Sequence, residues 1–186
     1  MGSTDVRDLI CGGRLDVYLR KVRGETDNRG SSAARRGIAL EEFAASEYAR
    51  QIGATLVRPP MLQVIVHPWE MGSPDRFRLG AGGVWIPTDD GLVEVIGGVE
   101  LKAPTSHTYW EWRGSDGPER YLIQSHWLQH VSGVHRWDLC ANIDGDPVTF
   151  IVPWDDEIGD ALAEIVSDFW HGHVLARVPP EPTTVD

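Results

Sequence analysis

The sequence predicts a mixed α/β fold, with a central β-sheet of mixed strand direction flanked by helices. Three observations carry this. Helical and strand-like periodicities come in blocks, in the order helix, strands, helix, strands, helix, and such blocks bury their apolar faces best as one sheet covered by helices. Turn and cap residues stand where the period changes. With 186 residues, 41% apolar and 24% charged, the chain is sized for one domain with a full core. That domain is expected over residues 1–177, with the proline-rich 178–186 as a flexible tail.

Residues 14–23 are the first expected helix, with Leu15, Tyr18, Leu19 and Val22 on one side. The polar run 24–32 is a loop that supplies a cap for a second helix, about Ala33 to Gln51. Gly37, Glu41, Ala44 and Tyr48 share a face of it, an odd setting for a purely solvated glutamate. From Leu56 to Lys102 the signals are strand-like. Met61–Val66 is β-branched and apolar, Arg76–Leu79 alternates, a hairpin is expected around Trp85–Gly91, and Leu92–Ile96 and Val99–Leu101 surround a Gly97-Gly98 turn. Ser115-Asp116-Gly117-Pro118 opens a helix that Gly133 closes, with Tyr121, Gln124, Leu128 and Val131 on one face. Two strands, about Trp137–Ile143 and Val148–Val152, are joined by Asp144-Gly145-Asp146. The last helix, about 155–171, buries Ile158, Leu162, Ile165, Val166 and Phe169 and stops before Gly172.

Composition narrows the function classes. No apolar run approaches the ~20 residues that span a bilayer, and the N-terminus lacks a secretory-signal pattern, so no membrane role is expected. Cys11 and Cys140 are solitary, which argues against a disulfide framework or a four-cysteine metal cluster and fits a reducing, cytoplasmic setting. Seventeen basic residues against 28 acidic ones leave a net charge of −11, which alone argues against a nucleic-acid partner. A local basic channel in an acidic protein would reconcile the two.

The chemistry-bearing residues cluster around one strand. Glu100 and Lys102, two positions apart, point to the same face of a strand, inside the apolar run Val99-Glu100-Leu101-Lys102-Ala103-Pro104. Two inward charges without partners would cost on the order of several kcal/mol. Asp75, in Ser73-Pro74-Asp75 one loop upstream, supplies a second carboxylate able to share a divalent cation with Glu100, leaving the lysine free to orient or activate a water. His130, His135, His171 and His173 lie at helix ends without matching ligands, and a structural role is expected for them. Trp110-x-Trp112 is expected to pack.

The order Gly37-x-x-x-Glu41, Ser73-Pro74-Asp75, Glu100-x-Lys102-Ala103-Pro104, Tyr121-x-x-Gln124 resembles the phage lambda exonuclease and YqaJ-type viral recombinase group of the PD-(D/E)xK nuclease superfamily, over about residues 35 to 170. The resemblance implies a restriction-endonuclease-like core and a metal-dependent deoxyribonuclease, a phage-type recombination exonuclease acting on linear double-stranded DNA ends in a bacterial host cell. It implies Asp75, Glu100 and the Leu101 carbonyl as ligands to Mg2+, for which Mn2+ can substitute, with Glu41 as a third carboxylate. Lys102 would hold or deprotonate the attacking water, being pushed toward its neutral form, Gln124 would steady lysine and substrate, and Tyr121 would pack nearby. Ser73 and His107 match positions that hold the substrate phosphate. A ring-shaped homo-trimer and a single-strand annealing partner also belong to what is implied. Three departures stand out: Arg76 follows Ser-Pro-Asp where glycine is usual, the stretch from Asp75 to Glu100 is long, and an N-terminal helix of Thr-Ala-Ser type has no expected counterpart. A restriction- or defence-type endonuclease, or a catalytically silent DNA- or partner-binding module, are the alternatives.

Overall fold

The computed structural model describes residues 1–24, 32–105, 108–114 and 116–183. Its helices are α1 Ser3–Ile10, α2 Arg14–Arg23, α3 Ser32–Ile52, α4 Glu119–Ser132 and α5 Asp156–Phe169. Its strands are β1 Leu56–Val57, β2 Leu62–Gln63, β3 Met71–Gly72, β4 Arg76–Thr88, β5 Gly91–Lys102, β6 Trp137–Ile143 and β7 Asp146–Val152. Five of them form one sheet in the order β1-β4-β5-β6-β7, and β2 and β3 pair separately. The β4–β5 and β6–β7 pairs are antiparallel hairpins, whereas β5 and β6 run parallel because α4 carries the chain across between them. The expected mixed sheet with helices on its faces is present.

Side-chain alternation sorts the sheet into two faces. On one, Val99 and Leu101 of β5 and Cys140 of β6 pack on Ala44, Ala45 and Tyr48 of α3. On the other, Phe77, Val95, Trp137 and Leu139 pack on Leu128 and its neighbours in α4. Helix α4 also has an apolar back: Trp127 joins Val6 and Leu9 of α1, Val17 and Tyr18 of α2, and Leu162, Val166 and Phe169 of α5. A helix buried on both sides carries no single apolar stripe, and residues Gln124 to Gln129 are all buried.

Four expectations are corrected. The first is that α1 precedes the expected elements; it is short, and its Val6, Leu9 and Ile10 give only two turns of period. The second concerns Met61–Val66, where pairing covers only Leu62–Gln63 and Ile65 is 93% exposed. The third is that Gly97 and Gly98 make no turn but lie inside the continuous strand β5. The hairpin expected around Trp85–Gly91 is present and turns at Asp89-Asp90, with Gly91 at φ +118°. The fourth is that the last helix continues as a π-helical turn, Trp170–Leu175. Beyond it, Val178 N donates to the His173 carbonyl at 3.0 Å, and the Thr183 hydroxyl donates to the Gly12 carbonyl.

Candidate active site

The site forms at the ends of β4 and β5. Antiparallel pairing sets Arg76 opposite Val99, which brings Asp75 beside Glu100 and Leu101. The Leu101 amide donates to Asp75 Oδ2 at 2.7 Å, fixing the aspartate against the neighbouring strand. Glu100 is 4% exposed, and Lys102, on the same side of the pleat, pairs its Nζ with Glu100 Oε1. The Lys102 ammonium also lies 5.1 Å from the centroid of the Tyr121 ring, which α4 presents.

This crowding shifts the titrations. Burial, then the neighbouring Glu100 charge, pushes the Asp75 carboxyl up to about 7. For Lys102, burial works against the charge, but the Glu100 and Asp75 carboxylates outweigh it and hold the ammonium above its ordinary range. Against the protein's own charges the lysine therefore stays protonated, whereas the neutral form expected beside a cation concerns the metal-loaded site. Two carboxylates, not burial, decide its state.

A cavity of about 740 Å³ opens over these groups, and the N-terminal helices form its far wall. Ser3, Thr4 and Arg7 of α1 and Arg20 and Lys21 of α2 line it together with Ser73, Asp75, Glu100, Lys102, Tyr121 and Gln124. Helix α1, which lay outside the expected elements, supplies part of this wall. Its signal was present in Gly2-Ser3-Thr4-Asp5, where the Gly2 amide donates to Asp5 Oδ2 at 3.0 Å in the manner of a capping box. Asp5 and Asp8 brace the basic wall, Arg20 reaching Asp8 at 2.8 Å and Lys21 pairing with Asp5.

The expected residues do not all converge. Asp75, Glu100, Lys102, Ser73, Tyr121 and Gln124 share the large cavity. Gln124 donates to the Thr4 hydroxyl at 3.3 Å and leaves its buried Oε1 without a partner, so its hydrogen bond ties α4 to α1, while Glu100 and Tyr121 flank the lysine. Glu41 borders a smaller cavity on the α3 side, shared with Asp75 and Lys102, and its carboxylate accepts from Arg58 and Arg76 at 2.6 Å each. His107 lies outside the described residues. Trp112 packs, stacked on Tyr121 at 5.3 Å, while Trp110 is 69% exposed. Each of the four discounted histidines makes a local contact, such as His130 Nε2 at 3.0 Å from the buried Glu70 and His135 stacked on Trp154.

The model of the YqaJ-like viral recombinase domain matches residues 1–135, nearly three quarters of the chain, with α1 inside the match. The chain belongs to this family. Among solved structures, the YqaJ-like chain is similar to an alkaline exonuclease, LHK-Exo, from Laribacter hongkongensis, with a TM-score of 0.73 and 16% identity over 96% of this chain and 89% of that one. The complex of LHK-Exo with dAMP gives 0.72 and 18% over the same shares. A phage related exonuclease from Haemophilus somnus 129PT gives 0.65 and 12%, over 89% of this chain and 81% of that one. At these identities the likeness is one of fold. No functionally curated protein matches the chain significantly.

The donor set of this YqaJ-like domain suits a hard divalent cation. Among the described residues, no three His, Cys, Asp or Glu side chains converge to hold a metal. A cation would therefore rest on Asp75 and Glu100 with oxygens from the backbone, water and substrate, the way Mg2+ is commonly held. Burial, and then the Glu100 charge, raise the Asp75 carboxyl, and a bound cation would favour its ionised form.

Proposed function

We propose that this YqaJ-like domain is a Mg2+-dependent deoxyribonuclease that removes nucleotides from linear duplex ends, with Mn2+ able to substitute. The single observation that carries the reading is the Asp75–Glu100–Lys102 cluster at the floor of a cavity whose walls are basic. Four cationic side chains (Arg7, Arg20, Lys21 and Lys102) line that cavity against three carboxylates (Asp5, Asp75 and Glu100), in a protein of net charge −11. That gathering of cations, three of them braced by Asp5 and Asp8, is what supports a phosphate-backbone partner.

Asp75, Glu100 and the Leu101 carbonyl would hold the cation, which when bound supplies charge for the phosphoryl oxygens and an acidified water. The protein's own groups do the rest. The Leu101 amide keeps Asp75 turned toward Glu100. Lys102, held charged between two carboxylates, orients the attacking water by hydrogen bonding and offsets negative charge growing on the phosphorus oxygens. Tyr121 limits where the ammonium can swing. At the opposite wall, the free amides at the start of α1, the Ser3 and Thr4 hydroxyls and Arg7 suit a terminal phosphate, since a helix N-terminus favours anions. Ser73 lines the same cavity.

The test is digestion with Mg2+ of linear 5′-phosphorylated duplex and of covalently closed circular duplex, by the native chain and by Glu100→Ala. The linear form should disappear and the circle persist, with the variant slower by at least ~100-fold. Nicking of the circle would make the protein an endonuclease. Inactivity of the native chain on both substrates, with Mn2+ also tried, would remove the enzymatic reading.

A further inference from the structure

The pleat that aims Asp75 at the cavity aims the next residue, Arg76, at α3. There its guanidinium is almost fully enclosed, the residue being 4% exposed. Nη1 donates to Glu41 Oε1 at 2.6 Å and to the Asp75 carbonyl oxygen at 2.5 Å, and Nη2 donates to Glu42 Oε1 at 2.5 Å. Arg58 donates from the outside to the same Glu41 oxygen at 2.6 Å and to Glu42 at 2.9 Å. Glu41 Oε1 thus accepts two charge-assisted hydrogen bonds, one of them from a buried guanidinium. Glu41 does not join Asp75 and Glu100 in a three-carboxylate cluster among the described residues.

We propose that Arg76 is a built-in cation that withholds Glu41 from the metal, so that this site takes a single divalent cation on Asp75 and Glu100. The inference rests on the metal-dependent reading above and concerns how many ions that site holds. A second ion between Glu41 and Asp75 would have to displace both guanidinium bonds. It would then lie beside a guanidinium that cannot move into solvent, and that buried guanidinium would be left with only the exposed Glu42 carboxylate as counter-charge. Arg76 is a positioning residue by the same contacts. It grips the Asp75 carbonyl from the α3 face while the Leu101 amide holds the carboxylate from the other side of the strand end.

The decisive experiment is a Mn2+ titration followed by electron paramagnetic resonance, which counts bound ions without any turnover. It is run on the native chain, Glu41→Gln, Arg76→Gln, the double variant and Asp75→Asn. The native chain should bind one Mn2+. Glu41→Gln should keep that stoichiometry and an affinity within about twofold, well under the ~10-fold or more expected when metal ligation is disturbed. Arg76→Gln should free Glu41 and gain a second Mn2+, which the double variant loses. Two ions in the native chain, one of them lost in Glu41→Gln, would overturn the proposal. So would a folded Arg76→Gln that still binds one ion with native affinity. Should Arg76→Gln fail to fold by circular dichroism, Glu41→Gln decides alone, because the Glu41 side chain is already 24% exposed. Absence of Mn2+ binding in the native chain, or binding indifferent to Asp75→Asn, would instead remove the reading on which the proposal rests.

Discussion

Asp75 is the residue whose chemistry is most altered by its surroundings. Its carboxyl ordinarily titrates near 3.8, and burial followed by the Glu100 charge moves it to about 7. The unfolded chain ionises this group freely and the folded one resists. Between about pH 4 and pH 7 the metal-free fold therefore loses stability as pH rises. A bound divalent cation reverses the penalty, because it favours the ionised form. We expect the Mg2+-induced rise in Tm to be small near about pH 5.5 and full near about pH 8, with Asp75→Asn showing a small, flat response at both. Differential scanning fluorimetry reads this directly. An equal rise at both pH values in the native chain would mean that the carboxyl is ionised throughout, and the crowded-pair account of the site would fail.

The β4–β5 hairpin carries the site, and its glycines show where sequence patterns stop being informative. Helices α2, α3 and α5 and strands β6 and β7 are legible from their own periods, and α4, which has no apolar stripe, from Pro118 and Gly133 at its ends. Glu100 and Lys102 are legible because the two-residue repeat of a strand puts both on one side without knowledge of any neighbour. Gly97-Gly98 is misread as a turn because its reason lies elsewhere in the chain. A Cβ on Gly98 would stand 2.2–2.4 Å from the Trp137 ring atoms, so the glycine lets β5 approach β6 beneath a buried indole. The partners of Glu41 and Gln124 are hidden for the same cause, since Arg76 is 35 residues from Glu41 and Thr4 is 120 residues from Gln124. The apolar run Met61–Val66 misleads in the opposite sense, since Ile65 and Val66 are left largely exposed. It follows that Gly98→Ala should cost about 1–3 kcal/mol through overpacking against Trp137. Gly97→Ala, whose Cβ would meet nothing nearer than 3.4 Å, should cost clearly less. Urea unfolding of both variants is the check, and matching midpoints would refute the close-approach explanation.

Charge is the property that joins the whole molecule to its substrate. A chain at −11 repels a polyanion at long range, so under the proposed function duplex capture falls to the cavity, where Arg7, Arg20, Lys21 and Lys102 are gathered. Asp5 and Asp8 hold three of those cations in place, at the cost of part of their field. The balance implies a short contact with few phosphates instead of a long basic track. Each phosphate neutralised contributes about 0.9 to the slope of log affinity against log salt, so four cations limit the slope of log(kcat/KM) on duplex ends to a magnitude of roughly 4. Arg20→Gln should lower that magnitude by about 1 while leaving the Mn2+ stoichiometry untouched, because Arg20 lies on the α2 wall, away from the proposed metal ligands Asp75 and Glu100 in sequence and element. Steady-state cleavage across a KCl series measures both numbers. A slope near 8 in the native chain would place the main DNA contact on another surface, and the cavity would then be only where the bond is cut. A slope unchanged in Arg20→Gln would show that Asp5 and Asp8 already absorb its charge, leaving Arg7, Lys21 and Lys102 to meet the phosphates.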